Sequence, residues 1–127
     1  MRFARGSDLP LLVELVGRLV AASGIPLAMD PDHTRSVLRR LIISDNAAVW
    51  VTARGFLAAS IEQTVISPAP VAAEHGWYAE DGKGLRLLRA FEAWAAERGA
   101  MVRLSTGIGG PDLSRLGYRS VETAWVK

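Results

Sequence analysis

The segment Asp81-Gly-Lys-Gly84 sits between an aromatic run and the most strongly amphipathic stretch of the chain, and the residues able to do chemistry gather around it. Glycines at the start of a helix let the backbone approach a ligand closely. They also leave a row of N–H groups unpaired at the positive end of the helix dipole. Such a spot binds anions, a pyrophosphate among them. Lys83 lies in the turn and can add a point charge, and Arg86 and Arg89 follow. Just upstream stand Glu74 and His75, and an imidazole is the side-chain type best suited to proton transfer near neutral pH. His33 falls in the first turn of a helix, where exposure is expected. No cysteine is present, no metal-ligand spacing occurs, and no Ser-His-Asp or Cys-His arrangement can be assembled.

Positioning these residues requires a frame, and the hydrophobic period supplies one. Phe3–Arg5 reads as a short strand. Asp8 reads as the N-cap of a helix whose apolar positions are Leu9, Leu12, Val13, Val16, Leu19 and Val20, ending at Ser23-Gly24. Asp30-Pro31 restarts a helix carrying Val37, Leu38, Leu41 and Ile42 inward and Arg35, Arg39 and Arg40 outward. The period then becomes two. Ala47–Ala53 and Phe56–Ser67 read as a hairpin around Arg54-Gly55, and Val71–Ala79 as a long strand with a bulge expected at Gly76. A helix from about Lys83 to Arg98 buries Gly84, Leu87, Leu88, Phe91, Trp94 and Ala95, and Gly99 caps it. Met101–Thr106 reads as a strand, Asp112–Leu116 as a helical turn or two, and Tyr118–Lys127 as a final strand. Trp50, Trp94 and Trp125 fall on periodic positions that suit a core or an interface.

The order is therefore β-α-α-β-β-β-α-β-(α)-β, a single α/β domain over residues 1–127. Half of the chain is apolar and 22% is charged, which excludes disorder. No apolar run approaches the ~20 residues that span a bilayer. Arg2, Arg5 and Asp8 precede the first apolar stretch without a cleavage-site pattern, so no signal peptide is read, and the lack of cysteine fits the cytoplasm. The net charge of +2 is small for a nucleic-acid binder, and the arginines, clustered at Arg35, Arg39 and Arg40 and again at Arg86 and Arg89, suit a basic rim around a small anion.

The element order, with Gly82-Lys83-Gly84 and Leu87-Leu88 opening the third helix, resembles the GNAT N-acetyltransferase superfamily. Phe91-Glu92-Ala93-Trp94-Ala95 running to Glu97-Arg98-Gly99-Ala100, and Leu116-Gly117-Tyr118-Arg119, extend the resemblance over nearly the whole chain. It is nearest in pattern to small GNAT-like proteins of phages and bacteria. The resemblance implies a mixed, twisted sheet of about six strands with helices on both faces, whose fourth and fifth strands splay into a cleft. It implies acetyl-CoA as co-substrate. Its pantetheine arm would pair with the strand edge near Trp77, Tyr78 and Ala79, and its pyrophosphate would lie on the loop Asp81, Gly82, Lys83, Gly84 and Leu85. The thioester carbonyl would be held by a backbone N–H at Gly76, Trp77 or Tyr78. Candidate bases are Glu74, His75 and Glu62, with Glu74 first, and Tyr118 is the candidate acid. In a regular strand Glu74 and Tyr78 would share one face, and His75 and Trp77 the other.

Two positions depart from the superfamily pattern. Ala79 stands where the loop usually begins with a basic or amide side chain, and Leu113 where a tyrosine acid is common. Glu80 and Asp81 also place two carboxylates where a pyrophosphate would approach, each worth on the order of 1 kcal/mol of repulsion at surface dielectric. Two functions thus remain open. One is an N-acetyltransferase acting on a small-molecule or protein amine, bounded by the Ser23–Met29 connector and the Ser67–Pro70 loop. The other is a silent GNAT-fold module acting through CoA binding, a protein partner or a homodimer, the last served by Trp125 and Val126 on a terminal edge strand.

Overall fold

A computed structural model describes residues 1–127. Five strands form one sheet in sequence order: β1 (Arg2–Phe3), β2 (Ala47–Thr52), β3 (Gly55–Glu62), β4 (Val71–Ala79) and β5 (Met101–Arg103). The first four run antiparallel to their neighbours, and β5 lies parallel to β4. Helices α1 (Leu9–Ser23) and α2 (Pro31–Ile43) cover one face, and α3 (Gly84–Glu97) covers the other. The fold class is the expected α/β mixed sheet, with five strands rather than six.

Alternation along β2 and β3 divides the core in two. Ala48, Trp50, Leu57 and Ala59 face α3, where Leu87, Leu88, Phe91, Trp94 and Ala95 close over them. Val49, Val51, Phe56 and Ala58 face the other way, onto Leu9, Leu12, Leu15 and Leu38. Trp50 anchors the α3 side, edge-on to Trp94 at 5.8 Å between centroids and 6.1 Å from Phe91. The stripe expected for α3 is the one buried. Its end is a Schellman cap, with Gly99 at φ 62°, its N–H on the Ala96 carbonyl and the Ala100 N–H on Ala95. Asp30 caps α2 as expected, accepting from the amides of Asp32 and His33 at 3.0 and 3.1 Å. Asp8 does not cap α1. Its carboxylate is taken by the Arg2 guanidinium (2.8 and 2.9 Å) and the Arg5 amide (2.7 Å), inside a 3-10 turn over Gly6–Asp8 that precedes the helix.

Several boundaries differ from the sequence reading. β3 stops at Glu62, where β4 begins, whereas β1 stops at Phe3 and β5 at Arg103 although β2 and β4 run on past those pairs. Tyr118–Lys127 forms no strand. Nothing pairs with it, and Trp125, 89% exposed, is no core residue. One 3-10 turn, Ser114–Leu116, is all that follows β5.

The bulge in β4 is one residue from its expected place. Ala58 faces Gly76 and Ala59 faces Glu74, so His75 is the extra residue. This shifts every side chain beyond it. Glu74, opposite Ala59, lies on the α3 side, and so does Trp77, opposite Leu57. Tyr78, opposite Phe56, lies on the α1 side. The expected pairing of Glu74 with Tyr78 on one face is thus undone by the bulge.

Gly55 opens β3 opposite Ala79 in close contact. A Cβ there would stand 2.8 Å from the Thr52 hydroxyl and 2.9 Å from the Ala79 Cβ. Gly55→Ala should therefore cost about 1–3 kcal/mol through overpacking, measured as a lowered urea midpoint. An unchanged midpoint would mean the turn relaxes freely.

Candidate functional site

Pairing between β4 and β5 ends at Ala73–Arg103, while β4 continues to Ala79. Beyond Ala73 a wedge opens, bounded by the free edge of β4. The Glu80 amide donates to the Arg54 carbonyl at 2.9 Å, so Glu80, Tyr78 and Gly76 turn their backbone groups toward β3. By alternation, Trp77 and Ala79 turn their N–H and C=O groups into the wedge.

The head of α3 stands at the mouth of this wedge. The Trp77 indole N–H donates to the Gly84 carbonyl at 3.0 Å and pins the first turn to β4. Gly82, at φ +75°, reverses the chain into the helix. The first helical bond is Leu87 N–H to the Lys83 carbonyl, and the Lys83 N–H is taken by the Asp81 carboxylate at 3.1 Å. The amides of Gly82, Gly84, Leu85 and Arg86 have no partner in the protein. Lys83 and Arg86 form no ion pair, whereas Arg89 is bound to Glu92 at 2.9 Å. Beside the first turn an open depression of about 660 Å³ is lined by Met1, Gly82, Leu85, Arg86, Arg89 and Ala90.

Glu80 is turned away from those amides, and Asp81 is held between the hairpin turn and the Lys83 amide. Glu80 accepts from Arg18 on α1, from Arg54 in the hairpin turn (2.9 and 3.2 Å) and from the Tyr78 hydroxyl (2.8 Å). Arg18 first and Tyr78 next hold its carboxyl down at about 2. Asp81 accepts the Thr52 hydroxyl at 2.6 Å and the Arg54 amide at 2.9 Å. The Thr52 bond chiefly keeps Asp81 below its usual range. Sequence reasoning missed Arg18, Thr52 and Arg54. An Arg at a hairpin tip carries no signal of its own, and these partners lie 26 to 62 positions away in the chain.

The candidate proton carriers fall into separate places. Glu74 is half-buried on the α3 side and accepts the Ser105 N–H at 3.1 Å with one oxygen, leaving the other without a partner. Loss of water raises its pKa, and the Ser105 bond opposes that rise. His75, on the exposed bulge, shares a short contact with the Ser60 hydroxyl (Nε2–Oγ 2.6 Å) and lies 3.6 Å from Glu62. Tyr118 packs at the edge of the α3 core and donates its hydroxyl to Glu92 at 2.8 Å. Burial first, and Glu92 second, push its pKa far above the phenol range. No group of His, Cys, Asp and Glu side chains is arranged to hold a metal. No helix is long and apolar enough to cross a membrane.

This sheet, its helices on both faces and its wedge are the GNAT acetyltransferase fold. A GNAT-family acetyltransferase from Staphylococcus aureus superposes with a TM-score of 0.67 at 18% identity, over 99% of this chain and 95% of that one. A protein from Clostridium acetobutylicum, described as a predicted acetyltransferase and crystallised with acetyl-CoA, gives 0.80 at 17% identity over 99% and 92%. The aminoglycoside N-acetyltransferase AAC(6')-Iy in complex with CoA gives 0.72 at 18% identity over 99% and 91%. No protein-family model and no curated protein matches the sequence itself.

The Glu80 network predicts a specific acid response. A carboxyl whose pKa is depressed in the fold adds stability above its unfolded value, near 4.5, and that stability is lost as pH falls toward 2. Glu80→Gln should lower the melting temperature at pH 7, and the gap from wild type should close between pH 4.5 and 2. A gap independent of pH would show that the ion pairs are not its source.

Proposed function

We propose that the protein is an N-acetyltransferase that moves the acetyl group of acetyl-CoA to an amine. The observation that carries this reading is the set of unpaired amides at Gly82, Gly84, Leu85 and Arg86, at the mouth of the β4–β5 wedge. Four donors at a helix head suit a diphosphate, and Lys83 and Arg86 are free to add charge. The outward backbone groups of Trp77 and Ala79 suit the amides of a pantetheine arm, which would extend the sheet by one strand. The acetyl-CoA and CoA complexes of two proteins with this fold support the same ligand.

Glu74 serves as the base. The amine must lose a proton as its nitrogen bonds the thioester carbonyl carbon, and a desolvated carboxylate with one free oxygen in the wedge can receive it. A backbone N–H of β4 next to the bulge steadies the oxyanion. Collapse of the tetrahedral intermediate breaks the C–S bond, and the thiolate takes a proton from water, the Tyr118 hydroxyl being bound to Glu92. His75, beside Ser60 and Glu62, lies on the opposite face of β4 from Glu74.

A second reading, a CoA-binding module without catalysis, draws on one observation. The Tyr118 hydroxyl is committed to Glu92, and Leu113 occupies the place of an alternative phenol.

Thermal shift with acetyl-CoA, CoA and ADP separates the readings. Ligand at a hundredfold excess over Kd should stabilise the fold by about 2.7 kcal/mol. No shift with millimolar acetyl-CoA would exclude both. A shift without thiol release across a panel of amines would leave only the silent module. In an active enzyme, Glu74→Gln should retain the acetyl-CoA shift and slow turnover about 10²- to 10⁴-fold. Unchanged turnover would remove Glu74 as the base.

A further inference from the structure

We propose that Asp81 is a positioning residue that strengthens binding of an anionic ligand at the head of α3, although it carries the ligand's own sign of charge. The inference rests on the acetyl-CoA reading above and concerns how the loop is held for it. From charge alone, a carboxylate beside a diphosphate should weaken binding. The geometry reverses that expectation, because both Asp81 oxygens are engaged on the hairpin and the loop.

One oxygen accepts the Thr52 hydroxyl at 2.6 Å and the Arg54 amide at 2.9 Å; the other accepts the Lys83 amide at 3.1 Å. These three bonds tie the loop to the β2–β3 turn on one side and to the start of α3 on the other. Gly82, between them, has no side chain and a positive φ, so nothing of its own restrains it. The clamp uses a single loop amide, that of Lys83, and leaves those of Gly82, Gly84, Leu85 and Arg86 free. A ligand then meets donors already in place and avoids the cost of ordering them.

The surroundings are shaped for this clamp. Thr52 is the one buried polar residue of the chain, and its hydroxyl has Asp81 as partner. Gly55 leaves empty the space that a Cβ would take from that hydroxyl. The same donors hold the Asp81 carboxyl below its usual range.

The two accounts of Asp81 predict opposite signs. CoA and inorganic pyrophosphate serve as probes, titrated calorimetrically into wild type, Asp81→Asn and Thr52→Val. A clamp predicts weaker CoA binding by about tenfold in Asp81→Asn, whose single oxygen cannot serve both sets of donors, and about threefold in Thr52→Val. The loss should persist at high salt, and with acetyl-CoA it should raise KM more than it lowers kcat. Hydrogen exchange at the Lys83 amide should speed up in Asp81→Asn. A purely structural role would lower the melting temperature and leave Kd unchanged.

Equal or tighter binding by a folded Asp81→Asn overturns the proposal and leaves the acetyl-CoA reading intact. Binding of neither probe by wild type overturns both. Should Asp81→Asn fail to fold, Thr52→Val decides: CoA affinity equal to wild type overturns the proposal.

Discussion

The candidate site depends on where the pairing of β4 with β5 stops. Parallel neighbours need a crossover, and α3 is that crossover, so its first turn must lie at the C-terminal end of β4 and its last at the start of β5. Three residue pairs, Val71–Met101 to Ala73–Arg103, hold β5 in the sheet. Past them, the Glu74 carboxylate takes the Ser105 amide in place of a strand partner. The edge of β4 from Glu74 onward is thereby left beside a helix N-terminus. In open α/β sheets this region, outside the carboxyl ends of the strands, is where ligands bind. A β5 longer by several paired residues would close the wedge and leave the head of α3 facing nothing.

Electrostatics at that head is a matter of direction more than of composition. Counted as charges, Glu80 and Asp81 oppose an anion. In the fold, Glu80 is drawn to Arg18 and Arg54 on the α1 side, and Asp81 is drawn beneath the hairpin turn. Glu80, paired with two guanidinium groups, projects a much weaker field than an isolated carboxylate. Lys83 and Arg86, beside the free amides, form no ion pair.

What could be read from the sequence was local. The α3 stripe, the Gly99 cap, the Asp30 cap and the β2–β3 hairpin each rest on residues a few positions apart, and each stands in the structure, the hairpin with its turn one residue earlier than expected, at Ala53-Arg54. The loop of unpaired amides was legible for the same reason. Misreadings came from long range. Nothing near Asp81 announces Thr52, 29 residues earlier, and nothing near Glu80 announces Arg18, 62 earlier. The tail shows the converse error. Its apolar residues looked like a strand, but a strand needs a neighbour, and Val121, Trp125 and Val126 lie exposed without one.

The bulge at His75 connects these observations. Without it, Tyr78 would share the α3 face with Glu74, and Trp77 would turn toward α1. The Trp77 indole could then not reach the Gly84 carbonyl, and α3 would lose the bond that fixes its first turn to β4. Nor could the Tyr78 hydroxyl reach Glu80 on the α1 side, where Arg18 and Arg54 hold that carboxylate. One inserted residue therefore does three things. It anchors the helix whose amides are free and helps draw an opposing charge away from them. It also leaves Glu74 alone in the wedge, with water partly removed and one oxygen open.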